Sequence, residues 1–243
     1  RSGLRSVRCL QPKPVGRSAV SITSLTPIGT PLSRPSAFER SSGHKVNFTY
    51  AGAPALIRQI RDGKRGDLFS GPEEYSAPLF AEGILLAGSR VPFARSTTGL
   101  AVRAGDPRPD ISSPAKLKSA LLAASGVSYS EGASGMMFVR VLEQLGIAAA
   151  IKAKFVAPRP GEMIGAVVAR GAADIGIQQI SALLPVAGIE IVGPLPDELQ
   201  KPIIYGTHAF AQVKQHEAAS VFVRFLRSDA AAVVLRRSGL EPA

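Results

Sequence analysis

Two runs of small residues, Tyr50-Ala51-Gly52-Ala53-Pro54 and Ser130-Glu131-Gly132-Ala133-Ser134-Gly135, are the places where this chain could hold a ligand. Small side chains let a ligand approach the main chain, and the unpaired N–H groups of a following helix attract an anion. Each run alone reads first as a connection, because βα turns favour Gly and Ala. Two such runs ending strands of an open α/β sheet and facing one another read as a binding crevice. Pro54 has no N–H, so donors in the first run come from Gly52, Ala53 or Ala55. Catalytic signatures are missing: the sequence has no Gly-x-Ser-x-Gly, Walker loop, Gly-x-Gly-x-x-Gly or His-Glu-x-x-His. Its acids gather at helix starts (Glu73-Glu74, Glu217, Asp229), where the helix dipole favours them. His44, His208 and His216 have no zinc spacing, and the single Cys9 has no disulfide partner, so neither metal nor cofactor is expected.

The elements that carry these runs alternate. His44–Tyr50 reads as a strand and Pro54–Arg61 as a helix with Pro in its first turn; Asp67–Ser70 reads as a short buried strand followed by a helix over Pro72–Glu82. A long extended segment, Val91–Ala104, breaks at Gly105-Asp106-Pro107. Then come helix Pro114–Ala124, strand Gly126–Ser130, helix Gly135–Leu145, strand Lys154–Ala157, helix Glu162–Arg170, strand Asp174–Gln178, helix Ile180–Pro185 and strand Ile189–Val192. A second extended segment, Ile203–Gln212, precedes two helices, Glu217–Leu226 and Asp229–Arg237. The second of these starts at Ser228 as a capping residue and stops before Gly239. Such alternation predicts mainly parallel sheets with helices on both faces. The two extended segments bracket a middle block, which predicts two lobes joined by two crossings, with the chain ends sharing the first lobe.

Length and charge narrow the function. The 243 residues, 45% apolar and 19% charged, suffice for two lobes of ordinary size. The net charge of +11 belongs to the N-terminal side: residues 1–65 hold 12 Lys and Arg against Glu39 and Asp62, while the remainder is nearly balanced. With no Trp and four Tyr, that distribution argues against nucleic-acid binding. No stretch reaches the roughly 20 apolar residues of a membrane span. Residues 1–17 read as a disordered basic tail, and Pro27 and Pro31 oppose a helix directly after the first strand, Ala19–Leu25.

The order Gly43-His44-Lys45-Val46, Ala55-Leu56-Ile57-Arg58-Gln59-Ile60 and Gly66-Asp67-Leu68-Phe69 resembles the first lobe of molybdate-type periplasmic substrate-binding proteins of ABC importers. Phe93-Ala94-Arg95, Gly171-Ala172-Ala173-Asp174-Ile175-Gly176-Ile177 and the ending Ser238-Gly239-Leu240-Glu241-Pro242 fit the same family, over about residues 36–243. The resemblance implies a type II periplasmic-binding-protein fold: α/β, with lobe 1 over 18–98 and 206–243 and lobe 2 over 99–205. It implies a monomeric binder, not an enzyme, that closes two lobes over a small anion and hands it to an ABC transporter permease. It also implies a periplasmic location, with the export signal outside the given residues, because Arg1-Ser2-Gly3-Leu4-Arg5 has neither an initiator Met nor an apolar leader.

Carried over by position, the family's pocket falls on Ser24 and Thr26, Gly52 and Ala53, Ser134 and Gly135, Gly161 or Glu162, and Gln179. Molybdate binders have hydroxyls where this chain has Gly52, Ala53 and Pro54, and a Tyr where it has Gln179. A carboxylate-bearing anion is therefore as well suited as an oxyanion, and Arg95 or Arg159 could pair with it. The alternative is an enzyme on the same scaffold, such as an isomerase of a small polycarboxylate, with Glu131, Glu162 or His208 as candidate base.

Overall fold

The protein is described by a computed structural model over residues 19–24, 36–51 and 53–243. The expected tail over 1–17, and Thr26 and Gly52 of the expected pocket, lie outside the described residues. The first lobe starts with β1 (Ala19–Ser24), α1 (Ser36–Ser42), β2 (Lys45–Tyr50), α2 (Ala53–Arg61), β3 (Leu68–Pro72), α3 (Glu73–Ala81) and β4 (Val91–Ser96). The second holds β5 (Thr98–Arg103), α4 (Pro114–Ala123), β6 (Val127–Tyr129), α5 (Ala133–Gln144), α6 (Ala148–Lys152), α7 (Ile164–Ala169), β7 (Ile175–Gln179), α8 (Ile180–Leu183) and β8 (Ile189–Pro194). The chain then returns through β9 (Ile203–Ala209), α9 (His216–Leu226), α10 (Asp229–Arg237) and β10 (Glu241–Pro242).

Two sheets result, ordered β10-β4-β9-β3-β1-β2 and β6-β7-β5-β8. The strands that alternate with helices pair parallel, β1 with β2 and β3, and β6 with β7. The crossing strands add antiparallel pairs: β9 with β3 and β4, and β5 with β7 and β8. In the first lobe β1 lies between β2 and β3, so the strand order reverses beside it, and ligands of open α/β sheets bind at such a point.

Apolar side chains cover both faces of the first sheet. Val20, Ile22, Phe38, Phe222 and Leu235 form one core against α1, α9 and α10; Leu56, Ile60, Phe69, Leu79 and Phe210 form another under α2 and α3. The second lobe packs around Leu117, Phe138, Val141 and Ile177, with a smaller cluster of Val167, Val168 and Ala173 on the other side. Between the strands and the returning chain, the buried Asp67 ties three elements together. Its Oδ2 accepts from the Ser21 N–H at 2.8 Å, and its Oδ1 from the N–H groups of Lys214 at 3.0 Å and Gln215 at 2.9 Å. A carboxylate with three such donors is well compensated for its burial.

Three elements depart from the sequence expectation. The extended segment 91–104 is two strands in different sheets, divided at Thr97. The strand expected over Lys154–Ala157 contracts to a single bridge between Val127 and Phe155, preceded by α6, which sequence reading did not find. The helix expected from Glu162 starts at Ile164, because residues 159–162 close a tight turn in which Gly161 adopts φ +77°.

The two crossings are fastened to each other. Thr98 N–H donates to Gln200 Oε1 at 2.9 Å, Gln200 Nε2 donates to the Leu195 carbonyl at 2.7 Å, and Leu195 N–H donates to the Thr98 carbonyl at 3.0 Å. Ile180 N–H, at the start of α8, donates to the Thr97 carbonyl at 3.0 Å. Gly99 makes this closeness possible: a Cβ there would stand 2.7 Å from the Ile180 side chain and 2.9 Å from the Gly193 carbonyl.

Candidate functional site

Ser24 and Gln179 end parallel strands, and Ala53, Ser134 and Gly135 open the helices that follow β2 and β6. Register pairs Ser24 with Tyr50 and with Ser70, so the end of β1 sits beside the run that opens α2 and beside the turn into α3. Ser24 is buried at its strand end, and Ala53 is the first residue of α2. In the second lobe Tyr129 pairs with Ile177, so the loop into α5 and the end of β7 at Gln179 leave the same side of the sheet.

The start of α5 is built by close packing. Gly135 lies so near the preceding loop that a Cβ there would come within 1.4 Å of the Ser130 carbonyl oxygen. The buried Ser134 hydroxyl meets that of Ser130 at 3.1 Å. The cap residue Gly132 offers no side chain, so no side-chain cap covers the first N–H groups of α5. This arrangement suits an acceptor group of a ligand.

Gln179 stands at the join of the lobes. Its Oε1 accepts a hydrogen bond of 2.6 Å from the hydroxyl of Tyr205, a fully buried residue of β9. With its oxygen engaged, the amide presents Nε2 as a donor, the polarity an anion requires. Nearby, the Ser96 and Ser181 hydroxyls lie 3.4 Å apart across the lobes.

Glu162, His208 and Arg95 have contacts within the scaffold. Glu162 Oε2 accepts from the Arg159 N–H at 2.8 Å and Oε1 from Arg170 Nε at 2.9 Å, while its own N–H donates to the Arg159 carbonyl. The Arg170 guanidinium, and then the Arg159 N–H, hold its carboxyl below the ordinary value, so it is poorly suited to take a proton. His208 does not face the gap. It is fully buried in the first lobe, stacked on Phe69 and edge-on to Phe80, with neither ring nitrogen bonded among the described residues. Burial depresses it to about 4. Arg95 reaches the Pro242 carbonyl at 3.2 Å and so secures β10 at the sheet edge.

Sequence reasoning missed a cavity of about 520 Å3 beside this group. Its walls are the start of α3 (Pro72, Glu73, Glu74), one face of α5 (Ala133, Met136, Met137, Arg140, Gln144) and the second crossing, residues 197–204. The volume falls within the ~300–1,000 Å3 common for small-molecule sites. Glu73 is held by Arg90 through Nε at 2.6 Å and through a second contact to NH2. Glu74 has no hydrogen-bond or ion-pair partner among the described residues; partial burial raises its carboxyl above the ordinary value, and the Arg140 charge across the gap opposes that rise. The available signal is positional: Glu73-Glu74 directly follow a parallel strand, where dipole complementarity also accounts for acids.

Among the described residues no three or more His, Cys, Asp or Glu are grouped to hold a metal, and no helix is long and apolar enough to cross a membrane.

Against known proteins, the chain is 36% identical over 216 residues to an aconitate isomerase of a Pseudomonas species, covering 85% of this chain and 80% of that protein. It is 24% identical over 206 residues to the molybdate-binding protein ModA of Mycobacterium tuberculosis, covering 81% and 74%. Among solved structures, the Azotobacter vinelandii periplasmic molybdate-binding protein superposes with a TM-score of 0.74 at 20% identity, over 91% of this chain and 98% of the other. L-phospholactate-bound PEB3, the protein known from Campylobacter jejuni, gives 0.68 at 16% identity, over 91% and 99%. The two-lobed type II periplasmic-binding fold expected from the sequence is therefore shown. Residues 35–241 match the family described as bacterial extracellular solute-binding protein, and the chain belongs to that family.

Proposed function

We propose that this protein captures a small organic polycarboxylate outside the cytoplasmic membrane, by closing its two lobes, and presents it to the permease of an ABC importer. The observation that carries the reading is the Gln179 amide, held by Tyr205 with its donor side available at the join of the lobes. An uncapped helix start at Ala133-Ser134-Gly135 supplies further donors. In this reading Ser24, Ala53 and Gly161 complete the enclosure, and Gly52, Ala53 and Pro54 after β2 supply no hydroxyl cage for a compact tetrahedral oxyanion. The wide cavity alongside suits a longer ligand.

A second reading is favoured by one observation: the 36% identity to a protein named for isomerising an unsaturated tricarboxylate exceeds the 24% identity to a molybdate binder. In that reading the same closed cleft moves a proton within the bound polycarboxylate.

The test is a thermal-shift screen with molybdate, tungstate, sulfate, phosphate, citrate, tricarballylate and trans-aconitate. A ligand that binds only the folded state stabilises it by about 2.7 kcal/mol at a hundredfold excess over Kd. Stabilisation by the tricarboxylates, and none by molybdate or tungstate, is the expected result. A shift with molybdate or tungstate alone would overturn the reading.

A further inference from the structure

Glu74 and Arg140 approach the same 520 Å3 cavity from opposite lobes, Glu74 from the first turn of α3 and Arg140 from the second turn of α5. Ala133 and Arg140 are seven residues apart on one helix and line the cavity together, so they share a face about 10 Å long. Arginine side chains on a helix lean back toward its N-terminus, which brings the guanidinium closer to the uncapped N–H groups than that rise suggests. Two separated donor sites along one helix face, the helix start and the guanidinium, fit a ligand with two carboxylates and do not fit a compact oxyanion.

The other charges around the cavity are accounted for differently. Glu73 is neutralised by Arg90. Asp197, Glu198 and Lys201 line the cavity from the second crossing. Glu74 is the lobe-one carboxylate left with its lone pairs unengaged among the described residues, and it lines the cavity together with Arg140, whose charge acts on it. The three bases considered from sequence compare poorly: Glu162 is locked by Arg170, His208 is sealed among aromatic rings, and Glu131 is exposed and does not line the cavity.

We propose that Glu74 and Arg140 are the working pair of this cavity, Arg140 receiving one carboxylate of a polycarboxylate and Glu74 exchanging a proton with the carbon beside it. The inference rests on the polycarboxylate reading above and makes its isomerase form specific. For an unsaturated polycarboxylate the step balances without a cofactor. A C–H bond next to the double bond breaks, its proton goes to a Glu74 carboxylate oxygen, and its electron pair spreads over the three-carbon unit and the adjoining carboxylate, facing Arg140. Returning the proton to the far carbon forms a new C–H bond and moves the double bond; nothing is oxidised or reduced.

The experiment combines two readouts on the full chain: the thermal shift with tricarballylate, a saturated analogue, for binding, and proton NMR of trans-aconitate in deuterated water for C–H exchange. Wild type is expected to bind the analogue and exchange trans-aconitate. Glu74→Gln is expected to keep the analogue shift and lose exchange by about a hundredfold or more, with Glu74→Asp recovering part of it. Arg140→Gln is expected to weaken tricarballylate binding by about tenfold or more. Exchange that persists unchanged in Glu74→Gln, or analogue binding that is unaltered in Arg140→Gln, overturns the pair. Wild type that binds the analogue without exchanging trans-aconitate overturns the proton-transfer role while leaving the binding reading intact. Wild type that binds neither tricarboxylate overturns both.

Discussion

His208 illustrates what one side chain can reveal about the first lobe. A histidine stacked on Phe69 and edge-on to Phe80, near the Glu73–Arg90 pair, is kept neutral because its charged form would lose solvation on burial. Its folded value of about 4 lies below the ordinary 6.5, so between those values the unfolded chain binds the extra proton. Stability from this group is therefore full above about pH 6.5 and falls as the pH drops toward 4, by about 3 kcal/mol in total. Urea unfolding at pH 7 and pH 4.5 should show that loss in wild type and a much smaller one in His208→Leu; equal pH dependence in both would reject this account. The sequence showed an isolated histidine in an extended segment and could not say which face of the strand it occupied. Glu74 was visible too, yet Arg140, which lines the same cavity, lies 66 positions later in the chain, beyond the reach of any local pattern.

Elements whose signals are local were legible. Ser228 caps α10 by accepting from the Ala231 N–H, and Gly239 at φ +71° ends the helix, as their residue types require. Elements decided by long-range pairing were not. The segment 91–104 reads as one extended run, and its pattern carries no information about its division between two sheets at Thr97. The five-residue α6 is too short to present a repeat. In the binding runs, small residues suggested a ligand, whereas the structure gives Gly135 a packing reason as well. Gly135→Ala would drive a Cβ into the Ser130 carbonyl, and a backbone atom cannot turn aside as a side chain would. A loss of about 3 kcal/mol in unfolding free energy is expected, with weakened ligand affinity because the start of α5 must shift. Gly132→Ala, whose new Cβ would have its nearest neighbour at 3.8 Å, is expected to cost well under that. Equal losses for the two substitutions would show that the contact at Gly135 does not constrain the helix.

At the scale of the whole molecule, two sheets with separate cores are joined by crossings that Gln200, Thr98 and Leu195 fasten together, so a small change at the join can move one lobe as a body against the other. The Gln179–Tyr205 bond sits at that join, so in the proposed reading a ligand held by Gln179 acts on the angle between lobes. Small-angle X-ray scattering of the purified chain, titrated with trans-aconitate and separately with molybdate, measures lobe closure and ligand class together. The account predicts that the radius of gyration falls to a plateau with trans-aconitate and stays constant with molybdate. Contraction with molybdate alone, or a constant radius at saturating tricarboxylate, would contradict it.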